Sequence, residues 1–270
     1  MRVFIISDME GVAGICRWDQ VSGGRPLYEE GRKLYTEEIN AAVRGARAAG
    51  ADEIVVMDCH GAGKDWSFNS LIPDLLDPGC EWVVQTEWTE YTGILEQGCD
   101  AALFIAMHAK AGTPNGVLSH TVSGTDWRNL WFNGTSVGET GINAALCGTW
   151  DCPVVLVTGD RATCDEARDL LGDEIETVAV KTGLGRFSAR HLPPVKAREL
   201  IEAAAENAVR SRTSVAPYKL GSPATIEVEL ASPDKLEPFR FRHGVEVRWN
   251  ETKVVSEADE WWPAWKQLYF

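Results

Sequence analysis

The sequence predicts an α/β protein: a mostly parallel sheet flanked by helices in a three-layer main domain, with a small antiparallel β-rich module at its C-terminus. Three observations lead there. Residues 3–6, 54–57, 103–107 and 154–157 are short apolar runs rich in β-branched side chains, as strands buried on both faces require. A helical stretch separates the first two, and strand, helix, strand at that spacing makes a parallel βαβ unit. Beyond residue 218 the apolar period changes from helical to alternating. The expected division is a main domain at 1–215 and a module at 218–270.

The elements follow in order. The first strand runs into Asp8 and Glu10, with Gly11 and Gly14 letting the chain turn away. Pro26 opens a helix whose buried face carries Leu27, Leu34, Tyr35, Ile39, Val43 and Ala46, and Gly50 stops it. The second strand ends in Asp58-Cys59-His60-Gly61. Residues 82–84 read as another strand, and Thr89 caps a short helix carrying Tyr91, Ile94 and Leu95. The strand at 103–107 ends in His108. Residues 112–137 read as an antiparallel excursion, with strand-like runs at 117–122 and 130–132 and a hairpin turn at Asn133-Gly134. Glu139 lies in the first turn of a helix bearing Ile142, Ala145 and Leu146.

After the strand at 154–157, Thr163 and Glu166 form a capping box for the next helix. Residues 177–181 read as the last strand of the main sheet. Pro193-Pro194 introduces a long amphipathic helix through Val195, Leu200, Ile201, Ala204, Ala208 and Val209. In the module, Ile226, Val228 and Leu230 alternate with acids, and Val245, Val247 and Trp249 alternate with charged residues. The aromatic tail, from Trp261-Trp262 through Trp265 to Phe270, suits either packing on its own sheet or a subunit contact.

Composition narrows the function. Forty acidic residues against 26 basic ones leave a formal charge of −14 over 270 residues. That balance argues against nucleic acid or an anionic membrane as partner and suits metal cations or substrates with a free amine. Simple solubility explains it equally well. Seven cysteines, an odd number with no Cys-x-x-Cys pair, argue against a disulfide scaffold. No stretch approaches the roughly 20 apolar residues of a membrane helix, and the apolar run before Asp8 is too short for a signal peptide. The expectation is a cytoplasmic protein with reduced thiols.

Parallel strands bring their carboxyl ends to one edge, where ligands bind in open α/β sheets. Asp8 and Glu10, two apart on an extended chain, project to the same side, and His60 and His108 end other strands of the same sheet. Glu139 stays ionised at a helix N-terminus, where the dipole favours an anion. Singly, each has an ordinary reading: a solvated acid pair, a hydrogen-bonded strand-end histidine, a helix N-terminal acid. Together, three carboxylates and two imidazoles at one edge can hold two divalent ions about 3.5–4 Å apart, with Asp8 as the candidate bridge. Mixed ligation favours zinc over magnesium, with manganese or cobalt as substitutes.

Ser119-His120-Thr121 lies opposite that edge. His120 either donates to an oxyanion or leaving amine, or is a structural histidine. Asp58 is placed to orient His60 or a neighbour. Lys181, beside Gly183-Leu184-Gly185, either lines an anion site or simply ends a strand. His191 and His243 read as loop residues without a role.

These motifs carry a resemblance. Ser7-Asp8-Met9-Glu10-Gly11, Asp58-Cys59-His60-Gly61, Met107-His108, Ser119-His120-Thr121 and Asn133-Gly134 through Gly138-Glu139 resemble, in the same order over most of residues 1–215, the bacterial zinc-dependent D-aminopeptidases of the dipeptide transport protein A type. The module carries no quotable signature. The resemblance implies a dinuclear zinc enzyme, with two Zn²⁺ per subunit, that releases N-terminal D-amino acids from short peptides. It implies Asp8, Glu10, His60, His108 and Glu139 as metal ligands and His120 and Ser119 as candidate catalytic residues. It also implies a homo-oligomeric ring, a decamer, whose active sites face an inner chamber. Some members place a cysteine near position 119 and use it as a nucleophile. Serine there favours attack by metal-bound hydroxide. Two other readings are another metal-dependent amidohydrolase on the same site, and a metal-stabilised protein that binds peptides without turnover.

Overall fold

The computed structural model describes residues 1–85 and 91–269, the side chain of Tyr269 excepted. Thr89, read as a helix cap, lies outside the described residues. Strand β1 (Arg2–Ser7) leads through α1 (Trp18–Val21) and α2 (Tyr28–Ala48) into β2 (Glu53–Asp58), which pairs with β1 in parallel. β3 (Glu81–Val83) continues outward from β2. The chain then passes α3 (Gly93–Glu96) and returns to the other side of β1 as β4 (Ala101–Met107). Next come the hairpin β5 (Trp127–Phe132) and β6 (Thr135–Ser136), helix α4 (Glu139–Thr149), and β7 (Val154–Asp160) beside β4. α5 (Arg161–Leu171) leads to β8 (Glu176–Gly185), β9 (Ser188–His191) and α6 (Pro194–Arg210). The chain ends in β10 (Ala224–Leu230), β11 (Val245–Arg248), β12 (Lys253–Ala258) and α7 (Trp261–Tyr269).

The first sheet has the order β3-β2-β1-β4-β7-β8-β9, parallel except for β9 at its edge. From β1 the chain builds outward in one direction and, from β4, in the other. The crevice at the carboxyl ends of β1 and β4 is therefore the topological switch point, where ligands of such sheets bind. α2 and α6 pack on each other and on the sheet, and α4 and α5 do the same as a second helical pair. The α2–α6 approach is close: a Cβ on Gly45 would lie 2.2 Å from the Glu202 carbonyl.

The second sheet, β11-β12-β10-β5-β6, is antiparallel. β10 alternates buried and half-buried residues along its length. One of its edges pairs with β12 and the other with β5. The C-terminal strands thus share one sheet with the hairpin from the middle of the chain, because an apolar strand with an unpaired edge needs cover on both sides. α7 packs on β10, β12 and α4.

Three local expectations need correction. Residues 117–122 form turns, not a strand: Leu118 and Val122 take left-handed φ values of 53° and 59°, which break extended pairing. Residues 177–181 are not the last strand of the main sheet, because β8 runs on to Gly185 and folds back as β9. Thr163 does not cap α5. Asp160 does, accepting from the Thr163 amide at 2.8 Å. Glu166 instead accepts from the Lys110 amide and the Thr113 hydroxyl.

Candidate metal centre

Each residue of the predicted cluster is delivered by a strand end or a helix start. Asp8 follows β1, and its amide donates to the Ile105 carbonyl of β4 at 3.0 Å. The turn continues to Gly11, whose amide donates to the Ala106 carbonyl. A Cβ there would lie 2.2 Å from the Met107 carbonyl, so only glycine lets the turn seat on β4. β4 itself is irregular: Ala106 has φ 63°, and its pairing with β7 shifts register between Phe104 and Met107. That bulge re-aims His108 into the crevice. The Ala106 amide is satisfied by the Thr158 hydroxyl at 2.8 Å.

The side chains converge. His60 Nδ1 lies 3.1 Å from both Asp8 Oδ1 and Glu10 Oε2. His108 Nε2 lies 3.2 Å from both Asp8 Oδ2 and Glu139 Oε1. The two oxygens of Asp8 thus face two different imidazoles, as a bridging carboxylate would. Two groups of ligand atoms emerge, Asp8-Glu10-His108 and His108-His120-Glu139, each within 4.8 Å. His108 belongs to both. His120 stacks on His108 with ring centroids 4.0 Å apart, and its Nε2 is 3.8 Å from Glu139 Oε1. The residue expected to serve catalysis therefore stands among ligand-capable groups. Ser119 is buried and does not line the pocket, and its hydroxyl makes no hydrogen bond to His120 or to the cluster among the described residues.

Each of the three histidines at the site has one ring nitrogen at a backbone carbonyl: His60 Nε2 at Val21, His108 Nδ1 at Ala109 and His120 Nδ1 at Leu118, at 2.6–2.9 Å. A proton held there leaves the other nitrogen's lone pair facing the carboxylates, the tautomer a metal ligand needs. This is why the short helix α1 matters: its last residue, Val21, orients His60. Asp58 acts through the backbone, accepting from the His60 amide at 2.9 Å and from the Tyr35 hydroxyl at 3.1 Å.

The electrostatics are those of a cation site. Burial disfavours the Asp8 carboxylate, yet the facing rings of His108 and His60 hold its pKa well below the usual range. Burial likewise works against Glu139, and His108 again prevails and lowers it. For His60 and His108 burial favours the neutral ring, but the facing carboxylates push both pKa values well up. Protons there stand where a metal's positive charge would. Glu10 Oε2 and His108 Nε2 are fully buried without a hydrogen-bond partner among the described residues. Buried ligand atoms that touch each other at about 3 Å but do not hydrogen-bond fit divalent ions held between them.

Lys181, left open by the sequence, lies in the core and donates from Nζ to the carbonyls of Glu10, Val12 and Ile15. It is a cationic post under the loop that carries Glu10. Glu38 accepts from the Ala13 amide at 2.9 Å, and His191, expected to be idle, accepts from the Gly14 amide at 3.0 Å. No local pattern announces these three residues, whose partners lie 25 to 177 positions away. Above the cluster opens a pocket of about 160 Å³, walled by α4 and α7.

The model of the D-aminopeptidase family, peptidase family M55, matches residues 1–270. A D-aminopeptidase of Bacillus subtilis (strain 168) is 30% identical over 271 residues, covering 99% of this chain and 95% of the relative. The solved structure of the Zn-dependent D-aminopeptidase DppA from Bacillus subtilis, described as a self-compartmentalizing protease, superposes with a TM-score of 0.91 at 29% identity, covering all of this chain and 96% of that one. A match over the whole length, on a fold that gathers Asp8, Glu10, His60, His108 and Glu139 at one crevice, places this chain in the D-aminopeptidase family of peptidases.

Proposed function

We propose that the chain is a zinc-dependent aminopeptidase that removes D-amino acids from the N-termini of short peptides or amides, with two ions held by Asp8, Glu10, His60, His108 and Glu139. The observation that carries this is the pair of ligand groups sharing His108, with the two oxygens of Asp8 turned to different imidazoles. Zinc bound there would supply a Lewis acid for the scissile carbonyl and would lower the pKa of a bound water towards neutrality.

The chain's own groups do the rest. Asp8, Glu10 and Glu139 would offset three of the four positive charges of two divalent ions, leaving a net positive site that still polarises a carbonyl. His120, held by its Nδ1 contact with the Leu118 carbonyl and by Trp18, edge-on at 5.6 Å, takes the attacking water's proton at Nε2 and passes it to the leaving nitrogen. The Ser119 amide donates to the Gly116 carbonyl at 3.4 Å in the turn before His120. A catalytic unit at 1–215, a module at 218–270, a homo-oligomeric ring of decamer type and a cytoplasmic location belong to the same reading. No helix among the described residues is long and apolar enough to cross a membrane.

The test is hydrolysis of D-Ala-D-Ala or a D-amino acid amide before and after chelation, and in His60→Ala. Both treatments should abolish turnover, and zinc should restore the chelated protein. Full activity in either treated sample would refute the proposal.

A further inference from the structure

The aromatic tail forms a wall of the catalytic pocket. In α7 the rings of Trp261 and Trp265 stack with centroids 5.4 Å apart, and Trp262 lies 5.9 Å from Trp261. These tryptophans line the same pocket as Asp8, Glu10 and His60. Ile142 and Leu146 line it too, three and seven residues after Glu139 on α4, so they share the helix face of that ligand. The charged and titratable groups of the pocket among the described residues are those of the cluster, together with Cys59. One side is polar and metal-binding, the other apolar and aromatic. A peptide whose scissile bond lies over the cluster must set a neighbouring side chain against the tryptophans.

We propose that Trp261, Trp262, Trp265, Ile142 and Leu146 form a side-chain subsite selecting peptides with a bulky apolar residue, aromatic or branched, beside the scissile bond. The inference rests on the peptidase reading of the metal centre and names its substrate class. A small side chain leaves indole surface wet, and a charged one loses its hydration against a wall with no counter-charge. Filling such a pocket discriminates by about tenfold or more.

The test compares kcat/KM of the zinc-loaded, full-length enzyme for D-Phe-D-Ala, D-Ala-D-Phe and D-Ala-D-Ala. At least one aromatic dipeptide should exceed D-Ala-D-Ala about tenfold. Trp262→Ala, at a half-buried position, and Ile142→Trp, which fills the pocket, should each shrink that ratio to about threefold or less. A wild type that turns over D-Ala-D-Ala as well as the aromatic peptides would overturn the subsite, as would a ratio that survives both substitutions. Binding read by indole fluorescence separates the two claims. Tighter binding of an aromatic dipeptide without hydrolysis would support the subsite and refute the peptidase reading. Equal binding without hydrolysis would overturn both.

Discussion

Replacing Lys181 with methionine removes the post beneath the Glu10 loop while keeping most of the apolar stem. Nζ donates to the Glu10 carbonyl and, at 2.8 Å each, to those of Val12 and Ile15. Leaving three buried carbonyls without this donor costs about 1–3 kcal/mol each, about 3–9 kcal/mol in all. Methionine also relieves an opposing cost. Burial depresses the Lys181 pKa from 10.5 to about 8, so holding its charge at neutral pH costs about 3 kcal/mol. The difference leaves Lys181→Met destabilised by about 3 kcal/mol. Because the freed loop carries Glu10, zinc affinity should fall about tenfold or more. Urea denaturation of the chelated protein at pH 7 reads the first effect, and zinc competition against a chromophoric chelator reads the second. In the wild type, the folded lysine gives up its proton before the unfolded one. Its contribution to stability therefore rises with pH between about 8 and 10.5, and that component vanishes in the variant. A variant with wild-type stability and wild-type zinc affinity would refute the reasoning.

Two further outcomes follow from other buried groups. Burial pushes the Glu38 pKa from 4.5 up to about 7; the unfolded chain therefore ionises first, and the wild type loses up to about 3 kcal/mol as pH rises from 4.5 to 7. Glu38→Gln keeps an acceptor for the Ala13 amide, so its stability advantage should grow from near zero at pH 4.5 to its full size by pH 7; a difference that ignores pH would contradict this. Asp160→Ala removes the α5 cap and the acceptor, 2.6 Å away, of the Val117 amide. The loss should be about 2–4 kcal/mol in denaturant unfolding, and Asp160→Asn should recover part of it; an Ala variant within about 0.5 kcal/mol of wild type would refute the assignment.

The parallel sheet was readable because strands buried on both faces leave uninterrupted apolar runs, and the βαβ spacing orders β1 and β2 without further information. The site edge followed, since Asp8, His60 and His108 all stand at carboxyl ends of strands in one sheet. What escaped depends on contacts between distant segments. The bulge at Ala106 is an alanine in a left-handed conformation, which residue type does not signal. Pairing of β5 with β10 joins residues about a hundred apart, and alternation says that each strand has an apolar face but not which strand it meets. Lys181 reads as part of an anion site or as a plain strand end, yet the carbonyls it satisfies belong to the turn after β1. The aromatic tail could be recognised as apolar surface needing cover; that it also walls the pocket follows only from α7 packing on α4.

The central claim is that five side chains hold two catalytic zinc ions. Titrating zinc into the chelated protein, with D-aminoacyl hydrolysis and bound metal measured on the same samples, tests it most directly. Activity should rise from zero and level off at about two equivalents per chain, and His108→Ala, which removes the ligand common to both groups, should bind neither ion tightly. Activity that is complete without zinc, or a protein that binds zinc equally well with and without His108, would contradict the account.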